Sequence, residues 1–263
     1  MNSENILKVN ILYEKIAVFT LTNPNRRNPL SLSLIYLLQK ELDKIKKNKT
    51  VKVLVIQSTG PSFCSGHDLK EVEKFSKSKV KLLDLFNKCS KMMLSIRKLT
   101  QPVIACVDGL ASAAGCQLVA SCDLVIASKS SKFQTPGVNI GLFCSTPMVA
   151  VSRKLATKDM MFMLLSGQVI KAEEAKSFKL VNKVVSKASL EKEVMKIAMN
   201  ISKKSTQSII IGKEAFYNQL EMSIEDAYRY TAKVMAKNME KYDAKEGIKA
   251  FIEKRSPVWK DKM

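Results

Sequence analysis

The chain has 263 residues, 46% hydrophobic and 26% charged, with 44 Lys and Arg against 24 Asp and Glu for a net charge of +20. That length supports one generous core, or one core with a small appendage, and the composition excludes disordered and collagen-like chains. No apolar run approaches the roughly 18–20 residues that a membrane-crossing helix needs, and the opening MNSENILKVN has neither a secretory signal pattern nor an Arg-rich transit pattern.

Residues 6–12 and 16–21 read as two short strands, broken at Asn23-Pro24-Asn25. Ser31 then caps a helix reaching about Lys47, with Leu34, Leu37, Leu38, Leu42 and Ile45 on one face. Residues 51–58 form the next strand, followed by a turn at Thr59-Gly60-Pro61 and a glycine turn at Gly66. A helix over 80–98 places Leu82, Leu83, Phe86, Cys89, Met92, Met93 and Ile96 at core spacing. After Pro102 come a buried strand over 103–107, a small-residue turn, an apolar helix from near Cys116, and a strand over 124–127. Repeated strand-strand-helix order argues against a single doubly wound sheet. From Thr157 onward the pattern is mostly helical: one helix opens at 170–175, and others cover 190–203, 213–220, 224–239 and 245–253. The Met-rich faces, such as Met160-Met161-Met163 and Met235 with Met239, read as core or subunit contact.

Six cysteines (Cys64, Cys89, Cys106, Cys116, Cys122, Cys144) lie in apolar or small-residue segments without C-x-x-C pairs, which reads as buried reduced thiols in an intracellular protein and offers no metal site. The positive charge is mostly lysine, densest at 44–52 and 74–81. It either decorates solvated helix faces or draws in a phosphate-bearing ligand, a nucleic acid or an anionic membrane surface. Aromatic residues do not interleave with the lysines as a single-strand stacking platform requires, and no RNA-binding module is legible, which disfavours nucleic acid.

Two stretches carry most of the chemical information. FCSGHDLK (63–70) is a tight glycine turn after a strand. QPVIACVDGLASAAGCQLVASCDLVIAS (101–128) runs from a buried strand through small residues into a helix, so backbone N–H groups are exposed with a helix dipole behind them. Two exposed amides from two turns are what an oxyanion hole requires. With LTNPNRRNPLS (21–31), LLSGQVIKAEEA (164–175) and FIEKRSPVW (251–259), these blocks resemble the crotonase superfamily of enoyl-CoA hydratases and isomerases across almost the whole chain. GHDLKE, AAGCQLVASCD and TPGVNIGLFCSTP (135–147) place it nearest one mitochondrial subgroup.

The resemblance implies an α/β fold, a spiral of ββα units over 1–203 with a C-terminal helical trimerisation region over 204–263, and assembly as a trimer or a dimer of trimers. Trp259 and the segment before it would lie over a neighbour's ligand site. The ligand would be an acyl-CoA thioester, with coenzyme A part of that ligand and no separate cofactor or metal. The backbone amides of His67 and Ala114 would hold the thioester oxygen, with an ordinary negative φ required where alanine replaces glycine at 113 and 114. The family's two hydratase glutamates fall at Gln117 and Gly137, and a third acid position falls at Ser145. None of the three ionises at neutral pH. A positioned acid–base group is worth about 10²–10⁴-fold, so hydratase or isomerase activity is expected to be weak or absent. Alternatively, His67, the only histidine, stands in as an acid–base group. Asp68 reads as a helix cap, and Asp108 and Asp123 as structural residues. Arg26, Arg27 and Lys254 match the region of the family's coenzyme A contacts, or are surface charges. The subgroup implies a mitochondrial address, while the absence of a visible targeting segment is equally compatible with the cytoplasm.

Overall fold

The computed structural model describes residues 6–261; Met1–Asn5, part of the opening stretch read above for targeting signals, lie outside the described residues. The chain begins as an antiparallel hairpin, β1 (Leu7–Leu12) and β2 (Ile16–Leu21), turned by Tyr13 and Glu14 at positive φ. Helix α1 (Leu32–Lys47) crosses over to β3 (Val53–Ser58), which pairs parallel to β2. Ser31 caps α1 by accepting from the Leu34 amide at 3.2 Å, and Leu34, Leu38, Leu42 and Ile45 bury the stripe expected of them. After α2 (Leu69–Phe75) and α3 (Lys79–Lys98), β4 (Val103–Val107) joins β3 in parallel.

From there each turn of the chain gives one strand to each of two sheets. β5 (Leu110–Ser112), α4 (Ala114–Ser121), β6 (Leu124–Ser128) and β7 (Lys132–Gln134) follow in order, then α5 (Ser145–Val151), α6 (Thr157–Ser166), β8 (Ile170–Lys171), α7 (Ala172–Ser177) and β9 (Lys183–Val185). The larger sheet has the order β1-β2-β3-β4-β6-β9 and the smaller β5-β7-β8. Isolated parallel bridges, Leu30 to His67 and Cys64 to Ala111, extend the smaller sheet backwards through the earlier loops. This is the spiral of ββα units that the sequence implied. The main core lies between α1, α3, α4 and one face of the large sheet, and α8 (Lys187–Ser202) covers the other face with Leu190, Val194 and Ala198.

The C-terminal helices are α9 (Thr206–Gln219), α10 (Ile224–Met239) and α11 (Tyr242–Ile252). α10 buries no residue, although Ile224, Tyr228, Met235 and Met239 lie along it. Trp259 is half-buried and engaged within its own chain: its indole N–H donates to the Lys203 carbonyl at 2.9 Å and its ring packs near Gly247. In α3 the buried stripe is Leu85, Cys89, Met92, Met93 and Ile96, while Leu83, expected inside, is exposed. All six cysteines are buried and free.

Candidate active site

The site forms where the glycine turn after β3 meets the turn between β5 and α4. The Cys64 amide donates to the Leu110 carbonyl at 3.1 Å, the Ser112 amide to the Cys64 carbonyl at 2.9 Å, and the Leu30 amide to the Gly66 carbonyl at 2.8 Å. Gly66 has φ +94°, and a Cβ there would lie 2.9 Å from the Ser112 oxygen and 3.4 Å from the Ala114 nitrogen. A Cβ on Gly115 would lie 2.1 Å from the Cys64 oxygen. Only glycine at both positions lets the two turns touch.

The outcome is that His67 and Ala114 line one cavity of ≈ 440 Å³, and neither backbone amide has a backbone acceptor among the described residues. Ala114 is the first residue of α4, so its N–H is one of the orphan donors of a helix start. Ala113, just before it, has φ 48° and ψ −114°. The ordinary negative φ expected of alanine here is therefore wrong. The amide at 114 is aimed by a backbone conformation that glycine adopts freely and alanine adopts at a cost of about 1–3 kcal/mol.

Gly137 and Ser145 line the same cavity. Gly137 is buried in a 3-10 turn, and Cys144 fills the space beside it: a Cβ on Gly137 would stand 3.0 Å from the Cys144 nitrogen, 3.0 Å from the Leu142 oxygen and 3.1 Å from the Cys144 sulfur. Ser145 opens α5 and is exposed, its hydroxyl turned to the Phe143 carbonyl at 3.4 Å. Gln117 is buried, with Oε1 unpaired, and lines an adjoining cavity that shares only Thr146 with the first. No Asp or Glu lines the 440 Å³ cavity; its walls are mainly Leu69, Val72, Phe86, Ile140, Leu142 and Phe143.

The His67 ring packs edge-on against Phe86 at 5.3 Å, and both ring nitrogens are buried and make no well-aligned hydrogen bond, the Leu30 backbone acting on the ring only weakly against its burial. Burial pushes its pKa below the ordinary imidazole value, so it is neutral at physiological pH. Burial drives the thiols the other way: Cys64 and Cys116 are pushed up to about 12 and Cys144 is raised, which keeps them protonated and unreactive.

Arg26, Arg27 and Lys254 do not line the cavity. Arg26 bonds Asp68 at 2.7 Å, and Asp68 caps α2 through the Lys70 amide at 3.1 Å, so this pair braces the loop carrying His67. Arg27, at φ 60°, accepts the Ser65 amide on its carbonyl at 3.0 Å. Lys254 lies exposed beyond α11. Asp123 is structural as expected, accepting from the Val103 amide, Lys213 Nζ and the Tyr217 hydroxyl at 2.7, 2.6 and 2.8 Å. Asp108 accepts from Ser128 at 2.7 Å and pairs with Lys187. Sequence reasoning missed Phe86 as a site residue, since its spacing reads as core. Among the described residues no group of His, Cys, Asp and Glu is arranged to hold a metal ion.

The profile of the Enoyl-CoA hydratase/isomerase family matches residues 12–262. Human mitochondrial enoyl-CoA hydratase domain-containing protein 3 is 46% identical over 239 residues, 91% of this chain and 78% of that protein. Its crystal structure superposes with a TM-score of 0.94 at 44% identity, covering 97% of this chain and 100% of that one. The structure of an enoyl-CoA hydratase from Mycobacterium smegmatis gives the same TM-score at 39% identity, covering 97% and 98%. By sequence and by fold, the chain belongs to the enoyl-CoA hydratase/isomerase family.

Proposed function

We propose that this protein binds acyl-CoA thioesters, with the thioester oxygen held by the amides of His67 and Ala114, and that its hydratase or isomerase activity is weak or absent. The observation that carries this reading is a cavity with two acceptor-less amides from adjacent turns and no carboxylate in its lining. Such a hole stabilises an enolate oxygen, each donor being worth about 2.7–4 kcal/mol of barrier. Hydration also needs one group to take a proton from water and another to deliver one to the α-carbon. Gln117 orients water without accepting its proton, Gly137 has no side chain, and Ser145 is a hydroxyl. Arg26, Arg27 and Lys254 remain candidates for the coenzyme's phosphates in an assembled oligomer. The apolar side chains on unburied α10 support a homotrimer or a dimer of trimers. The relatives' names favour a mitochondrial address. Titration of the full chain with acyl-CoA should saturate at moderate salt, and crotonyl-CoA should hydrate no faster than a small fraction of an ordinary hydratase's turnover. Lack of saturable binding removes the first half of the reading, and ordinary turnover removes the second.

A second reading rests on His67. A neutral imidazole in the cavity wall, neither nitrogen in a well-aligned hydrogen bond, is able to give one proton and take another. On this reading the protein is a working enzyme of altered chemistry. A pH–rate profile unchanged by His67→Gln would exclude it.

A further inference from the structure

The adjoining cavity of ≈ 590 Å³ continues the first along the same faces of the same three helices. On α3 the lining passes from Phe86 through Ser90 and Met93 to Arg97; on α4, from Ala114 through Gln117 to Ser121; on α5 and the turn after it, from Thr146 through Ala150 to Arg153 and Lys154. These are helical i, i+3 and i+4 steps, so the two cavities, which meet at Thr146, follow the same faces of the three helices. From Ala114 to Ser121 they cover roughly 10 Å at 1.5 Å per residue. An acyl chain whose thioester sat on the Ala114 amide would enter the second cavity at this joint.

The far end carries three cations, Arg97, Arg153 and Lys154, against one acid, Glu221. Asp123, the acid behind it, is already satisfied by three donors. Tyr217, fixed by its hydroxyl on Asp123, holds two cations against its ring, with Arg97 Cζ at 4.9 Å and Lys154 Nζ at 5.6 Å from the centroid. Glu221 offsets Arg97 at 3.3 Å, but Arg153 and Lys154 have no ion pair among the described residues; Arg153 donates only to the Val149 carbonyl, at 2.7 Å. At the joint between the cavities, the unpaired Oε1 of buried Gln117 lacks the donor that a bound ligand or water supplies. Lys154 is half-buried and Arg153 exposed; an acyl tail ending in a methyl group would place hydrocarbon against the Lys154 ammonium, whereas a terminal carboxylate would pair with both cations.

We propose that the acyl groups this protein takes carry a carboxylate at their far end, received by Arg153 and Lys154 with Arg97 at the rim. The inference rests on the thioester reading above and names its substrate class, an ω-carboxyacyl-CoA of medium length. The test is calorimetric titration of the full chain with suberyl-CoA and with octanoyl-CoA, which share chain length and differ in the terminal carboxylate, at an ionic strength of about 0.15 M. Suberyl-CoA should bind about tenfold or more tightly, as expected for charge-assisted hydrogen bonds, and the Arg153→Met/Lys154→Met variant should bring the ratio of the two affinities to about one. Equal affinities in the native protein overturn this proposal and leave the thioester reading standing. Binding of neither overturns both. A suberyl preference that survives the double substitution overturns the assignment to these two residues. The native comparison decides the substrate class whether or not the variant folds.

Discussion

Cys144 occupies the space that a side chain at Gly137 would need: its sulfur lies 3.1 Å and its nitrogen 3.0 Å from the position of the missing Cβ. A side chain at Gly137 would therefore be tight, needing Cys144 and Leu142 to give by a few tenths of an ångström. Placing glutamate here presses its Cβ on the Leu142 carbonyl and on Cys144, and overpacking of that kind costs about 1–3 kcal/mol. Gly137→Glu, alone or with Gln117→Glu, is expected to lower the urea midpoint and to leave crotonyl-CoA hydration near background. Hydratase turnover in the double variant at native stability would contradict this.

Ala113 responds in the opposite sense to an ordinary alanine. Alanine to glycine costs about 0.5–1 kcal/mol where the backbone is regular. At φ 48° the relief of about 1–3 kcal/mol of backbone strain offsets that loss. Ala113→Gly should leave stability unchanged or raise it by about 1 kcal/mol in urea unfolding, and a clear loss would count against the strain.

Lys213 and Asp123 are both largely buried, at 10% and 17% side-chain exposure, with 2.6 Å between their charged atoms. Removing one partner leaves the other's charge unpaired, which typically costs about 3–5 kcal/mol. Asp123→Asn should destabilise by about that much, and adding Lys213→Met should recover part of it. A double-mutant cycle in urea reads the coupling directly.

His67 makes a pH prediction free of other imidazoles, since it is the only histidine. Its folded pKa is lowered by burial. Between that value and the ordinary imidazole pKa, the unfolded chain takes up a proton that the folded chain refuses, so stability falls as pH drops through this window. Above the ordinary pKa the group contributes no slope. His67→Gln should remove the difference, as measured by urea midpoints across the acid range.

How much of this was legible in the sequence depends on the range of the force involved. Helix α1 was readable from Ser31 and its apolar stripe because both signals are local. The start of α9 at Thr206 was not, because the β-branched run Ile209-Ile210-Ile211 before Gly212 masks a helix that Ser205 caps through the Ser208 amide. Strands β5, β7, β8 and β9 have two or three residues each, too few for any period to show. At the site, the glycine turns and the missing acids were visible as residue types. The positive φ of Ala113 was not, because the Gly66 turn packs on it from elsewhere in the chain; nor was the crowding of Gly137 by Cys144, because it depends on how the loop over 137–144 folds back on itself.

Helix α10 carries 16 residues and buries none of them within its own chain. A helix of that length is only marginally stable alone in water, and most helical stability in proteins comes from packing an apolar face. Within the chain its half-buried stripe of Ala227, Tyr230, Thr231 and Val234 packs against α9, while Ile224, Tyr228 and Met235 stay exposed on the other face. The winding of this segment therefore leans on α9 and α11, its neighbours in the chain, so a substitution that loosens α9 should fray α10 well before it disturbs the sheets.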